Sequence, residues 1–190
     1  MALIIREGSP ADYPAMLEIY GYYVEHFPYS FDCVPPTLEE VAGRMDPLLD
    51  QFPLLIAEED GRVLGFAYAH PFRPKEAYRW ISETTIYVRD GLTRKGVGSA
   101  LYAVLLPALR EQGFTKAVAT IGCPNERSEA FHRKQGFTYL ATFPDIGYKL
   151  GGWHDLTYYA LDLNPSGEAM DDPVPYRQIA DRLKEELGIR

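Results

Sequence analysis

From Glu83 to Gly113 the chain reads E-T-T-I-Y-V-R-D-G-L-T-R-K-G-V-G-S-A-L-Y-A-V-L-L-P-A-L-R-E-Q-G, and the fold is decided by how this stretch divides. Its first residues, rich in Thr, Ile, Tyr and Val, predict a strand. After the break at Asp90-Gly91 the apolar positions Val97, Leu101, Val104, Leu105 and Ala108 recur at helical spacing. A strand therefore feeds a glycine turn that opens a helix. The segment from Arg94 to Ser99 then falls around the helix start, where backbone N–H groups lack intrahelical partners and the macrodipole is positive. Two glycines there each cost about 1 kcal/mol relative to alanine, which makes sense where a group such as a phosphate approaches the backbone closely. Two common phosphate loops fail. A Walker loop from Gly91 needs Lys then Ser or Thr after Gly96, where Val97 and Gly98 stand. A dinucleotide fingerprint from Gly96 needs Gly or Ala at Leu101.

Outward from this unit, the pattern predicts an α/β fold with a mixed central sheet flanked by helices. Upstream come a strand at Leu3–Arg6 and a helix opening at Ser9-Pro10. Phe27, Tyr29 and Phe31 lie in an aromatic, proline-rich loop from His26 to Pro36, either as core plugs or as a pocket wall. A second helix opens at the capping box Thr37–Glu40 and meets Pro47, which kinks or interrupts it. Strands Leu54–Ala57 and Val63–Ala69 flank the turn Glu59–Arg62, and Trp80–Val88 is the central strand. Lys116–Ile121 should lie parallel to it on right-handed crossover connectivity. Asn125 starts a helix that stops at Gly136, and Phe137–Leu150 and Trp153–Leu163 form the last hairpin, with Gly151-Gly152 between them. Residues 1–163 read as one domain and 164–190 as a linker with a short amphipathic helix.

Composition narrows the function. The 190 residues carry 19 basic and 27 acidic side chains, a formal charge of −8, with no basic run interleaved with aromatics, which argues against nucleic acid as a partner. Cys33 and Cys123 stand apart, without zinc-type spacing, so neither a metal nor a disulfide framework is expected. No apolar run suits a membrane span or a leader, and a cytoplasmic protein is the expectation.

At the glycine turn, Thr93-Arg94-Lys95-Gly96-Val97-Gly98 resembles the Arg/Gln-x-x-Gly-x-Gly/Ala signature of the GNAT superfamily of acyl-coenzyme A N-acyltransferases, with Thr93 in place of the usual Gln or Arg. Further segments are similar to its phosphinothricin N-acetyltransferase-like branch: Ala67–Ala69, Ala77–Trp80, Glu83–Val88, Ile121–Asn125 and, most specifically, Gly147–Asp155 (G-Y-K-L-G-G-W-H-D). The resemblance implies a GNAT fold whose parallel fourth and fifth strands splay around acetyl-CoA, used as cosubstrate without a metal. It implies acetylation of the primary amine of phosphinothricin, methionine sulfoximine or sulfone, or a related small amino acid, by direct attack on the thioester, and a homodimer. On the cofactor side it implies Ile86, Tyr87, Val88, Arg94, Lys95, Gly96, Val97, Gly98, Ser99 and Asn125, with Arg127 and Lys134 as helpers. On the substrate side it implies Phe31, Arg73, Lys75, Tyr78 and Arg79. Lys75 stands where the branch often has arginine, and a lysine is a point charge rather than a fork.

An amine attacks only as the free base, so a carboxylate must take its proton. Glu83 is placed for this: alternation puts Ile81, Glu83, Thr85 and Tyr87 on one face, giving the carboxylate a tyrosine neighbour rather than a lysine or arginine. The alternative is a solvated strand glutamate. His132 replaces the tyrosine that many GNAT enzymes use to protonate the leaving thiolate, and it either acts as that acid or holds the cofactor and the helix packing. Two other readings stay open: the same fold acting on a polyamine, an aminoglycoside or a protein N-terminus, and a non-catalytic coenzyme A binding module.

Overall fold

The computed structural model describes residues 3–92, 96–167 and 171–189. Its centre is a seven-stranded sheet in the order β1-β2-β3-β4-β5-β7-β6, formed by β1 (Ile4–Glu7), β2 (Leu54–Glu59), β3 (Arg62–Pro71), β4 (Ile81–Val88), β5 (Lys116–Cys123), β6 (Thr138–Lys149) and β7 (Gly152–Asp162). The helices are α1 (Tyr13–His26), α2 (Leu38–Met45), α3 (Val97–Glu111), α4 (Glu126–Lys134) and α5 (Ala180–Leu187). All strand pairs are antiparallel except β4 and β5, the crossover pair foreseen from the strand, helix and strand order.

Each face of the sheet buries its own core. On one face Leu101, Tyr102, Leu105 and Leu109 of α3 pack against Leu55, Ala67, Ala117, Ala119 and Ile121. On the other, Tyr13, Met16, Ile19 and Tyr23 of α1 and Val41 and Met45 of α2 cover Leu54, Ile56 and Phe66. The alternation of β2 and β3 therefore serves two cores, which is why these strands read as nearly continuous apolar runs.

Several boundaries differ from the expectation. The first helix is entered through a 3₁₀ turn, Pro10–Asp12, with Asp12 accepting from the Ser9 N–H at 2.9 Å. Of the two outcomes expected at Pro47 the interruption holds: α2 ends at Met45 and a 3₁₀ turn, Asp46–Leu48, follows. The β6–β7 turn is Leu150-Gly151, both at positive φ, so Gly152 already belongs to β7. After Leu163 the chain folds back: Gln112, 2% exposed, donates from Nε2 to the carbonyls of Gln51 (2.7 Å) and Val174 (2.8 Å). Tyr176, Ala180 and Leu183 then bury themselves beside Ala108 of α3.

Candidate active site

β4 and β5 pair at only three positions, Ile81 with Lys116, Ser82 with Ala117 and Glu83 with Val118. Both strands continue past that point, β4 to Val88 and β5 to Cys123, so they part and leave a notch whose walls carry backbone groups turned to the gap. A cleft of about 470 Å³ fills it, lined among others by Glu83, Ile86, Val88, Thr120 and Asn125. The start of α3 closes one end. Its first helical bond runs from Ala100 N to Gly96 O at 2.9 Å, so the amides of Val97, Gly98 and Ser99 precede the ladder and can donate to an anion.

The two glycines of this turn have different reasons. Gly96 is the N-cap at φ 84, a left-handed conformation that costs other residues strain. Gly98 has a packing reason as well: an added Cβ would lie 3.2 Å from Phe131 Cε2 and 3.5 Å from Ile86 Cδ1. Arg94 and Lys95, with Thr93, lie outside the described residues. Ile86, Tyr87, Val88, Gly96, Val97, Gly98, Ser99 and Asn125 all line the cleft, as do Arg127 and Lys134. Three of them also have structural duties: the Val88 carbonyl accepts from Tyr23 Oη at 2.7 Å, Asn125 caps α4 by accepting from Ser128 N at 3.1 Å, and Ser99 Oγ accepts from Gln135 Nε2 at 3.1 Å. Parted strand edges, a helix start and a long cleft fit an extended molecule with an anionic end.

Glu83 stands at the apex, at the last paired position before the strands separate. The expectation that no arginine accompanies it is corrected: Arg73 Nη1 lies 3.7 Å from Glu83 Oε2. Alternation along β4 missed this neighbour because Arg73 follows β3 and reaches across from another segment. Arg73 itself donates to the Phe72 carbonyl (2.8 Å) and to Tyr158 Oη (2.9 Å), with its guanidinium 4.3 Å from the Phe72 ring. Tyr158, on β7, was not singled out from the sequence. Nor was Thr120, whose Oγ1 is buried without a hydrogen-bond partner among the described residues and lies in the cleft wall, opposite Tyr158 in the β5–β7 register.

Of the other expected substrate residues, Tyr78 reaches this cluster through the Phe72 ring, and the rest have other neighbours. Arg79 is engaged with the C-terminal segment: its Nε donates to Asp172 at 2.5 Å and its guanidinium lies 3.9 Å from the Trp80 ring, while Trp80 Nε1 donates to the Asp171 carbonyl. This pair of residues fastens the returning C-terminal segment. Lys75 is exposed ahead of the short turn Glu76–Tyr78, and Tyr78 meets the Phe72 ring edge-on at 5.8 Å. Phe31 sits against the β6–β7 hairpin, where a Cβ on Gly147 would come within 2.6 Å of its ring. The Trp153-His154-Asp155 motif braces that hairpin: His154 Nε2 bonds the Lys149 carbonyl, Asp155 accepts from Asp145 N, and Trp153 packs on Tyr148.

His132 is 3% exposed. Its Nδ1 lies 2.8 Å from the Ser128 carbonyl, which can only accept, so Nδ1 carries the proton and Nε2 accepts from Tyr102 Oη at 3.1 Å. Tyr102 also meets Thr84 Oγ1 at 3.0 Å. Burial lowers the His132 pKa to about 4, leaving the ring neutral near pH 7.

A strand pair parted over a helix start, with a carboxylate at the apex, is the architecture of an acetyltransferase of the GNAT type. Residues 16–137 match the Acetyltransferase (GNAT) family, and the chain belongs to it. It is 38% identical over 175 residues to the phosphinothricin N-acetyltransferase of Streptomyces viridochromogenes, covering 92% of this chain and 93% of that one. It is 35% identical over 171 residues to the L-methionine sulfoximine/L-methionine sulfone acetyltransferase of Pseudomonas aeruginosa, covering 89% and 99%. Among solved structures it resembles a phosphinothricin acetyltransferase from Sinorhizobium meliloti in complex with AcCoA, with a TM-score of 0.84, 30% identity and coverage of 93% and 100%. The chain is an N-acetyltransferase of this family.

Proposed function

We propose that the chain transfers the acetyl group of acetyl-CoA to the primary amine of a small amino acid of the phosphinothricin or methionine sulfoximine/sulfone kind. The observation that carries this reading is Glu83 at the apex of the notch with the Arg73 cation 3.7 Å away, a base and an anion-binding group side by side. An acceptor carrying both an ammonium and an anion meets both.

Acetyl-CoA, when bound, supplies the thioester carbonyl that the free amine attacks. Val97, Gly98 and Ser99 would hold its phosphates through their amides, and Ile86, Tyr87, Val88 and Asn125 would flank the pantetheine arm; the sequence puts the cations Arg94 and Lys95 next to that turn. Glu83 removes one proton from the acceptor's ammonium; the second, lost as the amide forms, leaves with the thiol. Arg73 keeps a positive charge 3.7 Å from Glu83, where an anion on the acceptor can meet it. His132 positions rather than protonates, because its accessible nitrogen already accepts from Tyr102 and a second proton is opposed by burial. An amine panel in a thiol-release assay tests the assignment, followed by Glu83→Gln on the best acceptor. The turnover rate should fall by roughly 10² to 10⁴ near pH 7 and recover in part at higher pH, where more amine arrives neutral. Parallel pH profiles with similar maxima would remove Glu83 from the mechanism. Preference for polyamines or aminoglycosides would overturn the acceptor class, and no thiol release with any amine would leave a coenzyme A binding module.

The functional unit is a homodimer joined through the exposed apolar face of β6 and its turn. The free thiols Cys33 and Cys123 suit the reducing cytoplasm, the setting proposed for the chain. No group of three or more His, Cys, Asp or Glu side chains among the described residues is arranged to hold a metal.

A further inference from the structure

Arg73 is the residue whose surroundings are least explained by packing. It is 43% exposed at the side chain, yet its guanidinium is fixed on three sides, by the Phe72 carbonyl, the Phe72 ring and Tyr158 Oη. Side-chain entropy of order 2 kcal/mol is given up to hold an exposed arginine still, which makes sense where its direction matters. Tyr158 is itself boxed, edge-on to Phe72 at 6.5 Å and to Phe143 at 5.6 Å, so its hydroxyl cannot swing away from the guanidinium without repacking.

The contact to Glu83 is of another kind. At 3.7 Å it is longer than a hydrogen bond and holds by charge alone. Each terminal nitrogen of a guanidinium carries two N–H groups. On Nη1 and Nη2 one is engaged by Phe72 O and by Tyr158 Oη respectively, which leaves a second N–H on each nitrogen for an acceptor anion.

Resting on the amino-acid reading above, we infer that Tyr158 is a positioning residue that aims Arg73 at the acceptor's carboxylate, and that this carboxylate displaces Glu83 as the partner of Arg73. The exchange ties recognition to chemistry. Before the acceptor binds, Arg73 and Glu83 face each other as a charge pair; once a carboxylate occupies Arg73, Glu83 is free to turn to the ammonium on the same molecule. An amine without an anion leaves Glu83 paired, so neutral and polycationic amines are disfavoured by the same contact.

The experiment compares L-methionine sulfone with its primary amide, which keeps the amine and the side chain and loses the negative charge, in a thiol-release assay with saturating acetyl-CoA. For the parent the KM of the amide should exceed that of the acid by about 10- to 100-fold, the span of a hydrogen bond to a charged group. Tyr158→Phe should raise the KM of the acid roughly 3- to 10-fold while the KM values of the amide and of acetyl-CoA stay at the parent's. Arg73→Met should bring acid and amide together, and Arg73→Lys should restore part of the difference. Circular dichroism and acetyl-CoA affinity establish that each variant is folded. Equal KM values for acid and amide in the parent, or a Tyr158→Phe effect shared by both acceptors, would overturn the inference and leave the amino-acid reading in place. If the parent releases thiol with neither acceptor, that reading falls and the inference with it.

Discussion

His132 shows how one buried side chain can look catalytic in a sequence and be constrained otherwise in the fold. Its donor nitrogen is committed to the Ser128 carbonyl and its acceptor nitrogen to Tyr102, and desolvation brings its pKa to about 4. In an unfolded chain a histidine titrates near 6.5, so between pH 6.5 and 4 the unfolded state binds a proton that the folded state refuses. Stability should therefore fall as pH drops through this window, by about 3 kcal/mol at its lower end, and be unaffected by this group above it. His132→Gln should be less stable than the parent at pH 7 through lost packing, but flatter between pH 6.5 and 4. Urea midpoints of both proteins across that range check the difference. Asp12 and Asp32, held below the usual carboxylate range against burial by their Arg6 and Arg44 partners, lose stabilisation only as pH falls further, and they do so equally in both proteins.

At the scale of the element, the crossover from β4 through α3 to β5 was legible because it rests on local signals: period-two apolar residues, a glycine break, a 3.6-residue period, then another apolar run. Glu83 and the line of cleft residues on β4 and α3 follow from that unit. What stayed hidden came from elsewhere in the chain. Arg73 and Tyr158 reach the apex from β3's exit and from β7, and Arg79 is claimed by Asp172, a partner 93 positions away. No pattern along one strand reports such neighbours, so a carboxylate read as lacking an arginine had one. The same limit applies to Gly98, whose missing side chain makes room for Phe131 of α4. A bulky residue there would separate α3 from α4 before it met any phosphate. The anion-binding end of α3 is better tested at Ser99, which lines the cleft. Ser99→Glu should weaken acetyl-CoA binding roughly 10- to 100-fold by placing like charge beside the phosphates, whereas Ser99→Ala should cost little. Calorimetry with both variants decides it, and equal affinities would move the phosphate site elsewhere.

The whole molecule leaves one surface unaccounted for. β6 is an edge strand of 12 residues, hydrogen-bonded only to β7 among the described residues, and Tyr139, Leu140, Phe143, Ile146 and Tyr148 on it, with Leu150 and Trp153 at its turn, are all about half exposed or more. A lone exposed leucine means nothing, but seven large apolar side chains on one hairpin of an otherwise acidic protein form a patch of the kind that a partner covers. The strand is not flat: its register with β7 slips at Leu140 and again between Phe143 and Gly147, where Asp145 adopts φ 50. Such bulges discourage continuous edge-to-edge pairing, so association should proceed through side-chain faces and stop at two copies rather than extend into a stack. The −8 charge per chain opposes the approach, and apolar burial at the hairpin has to outweigh it. Sedimentation of the parent should therefore give twice the chain mass, with added salt tightening the association through screening. Leu140→Glu combined with Trp153→Glu should yield a monomer of unchanged far-ultraviolet dichroism, since neither side chain is buried within the chain. A parent that sediments as a monomer at all salt concentrations would overturn the dimer, and a double variant that remains dimeric would place the contact on another face.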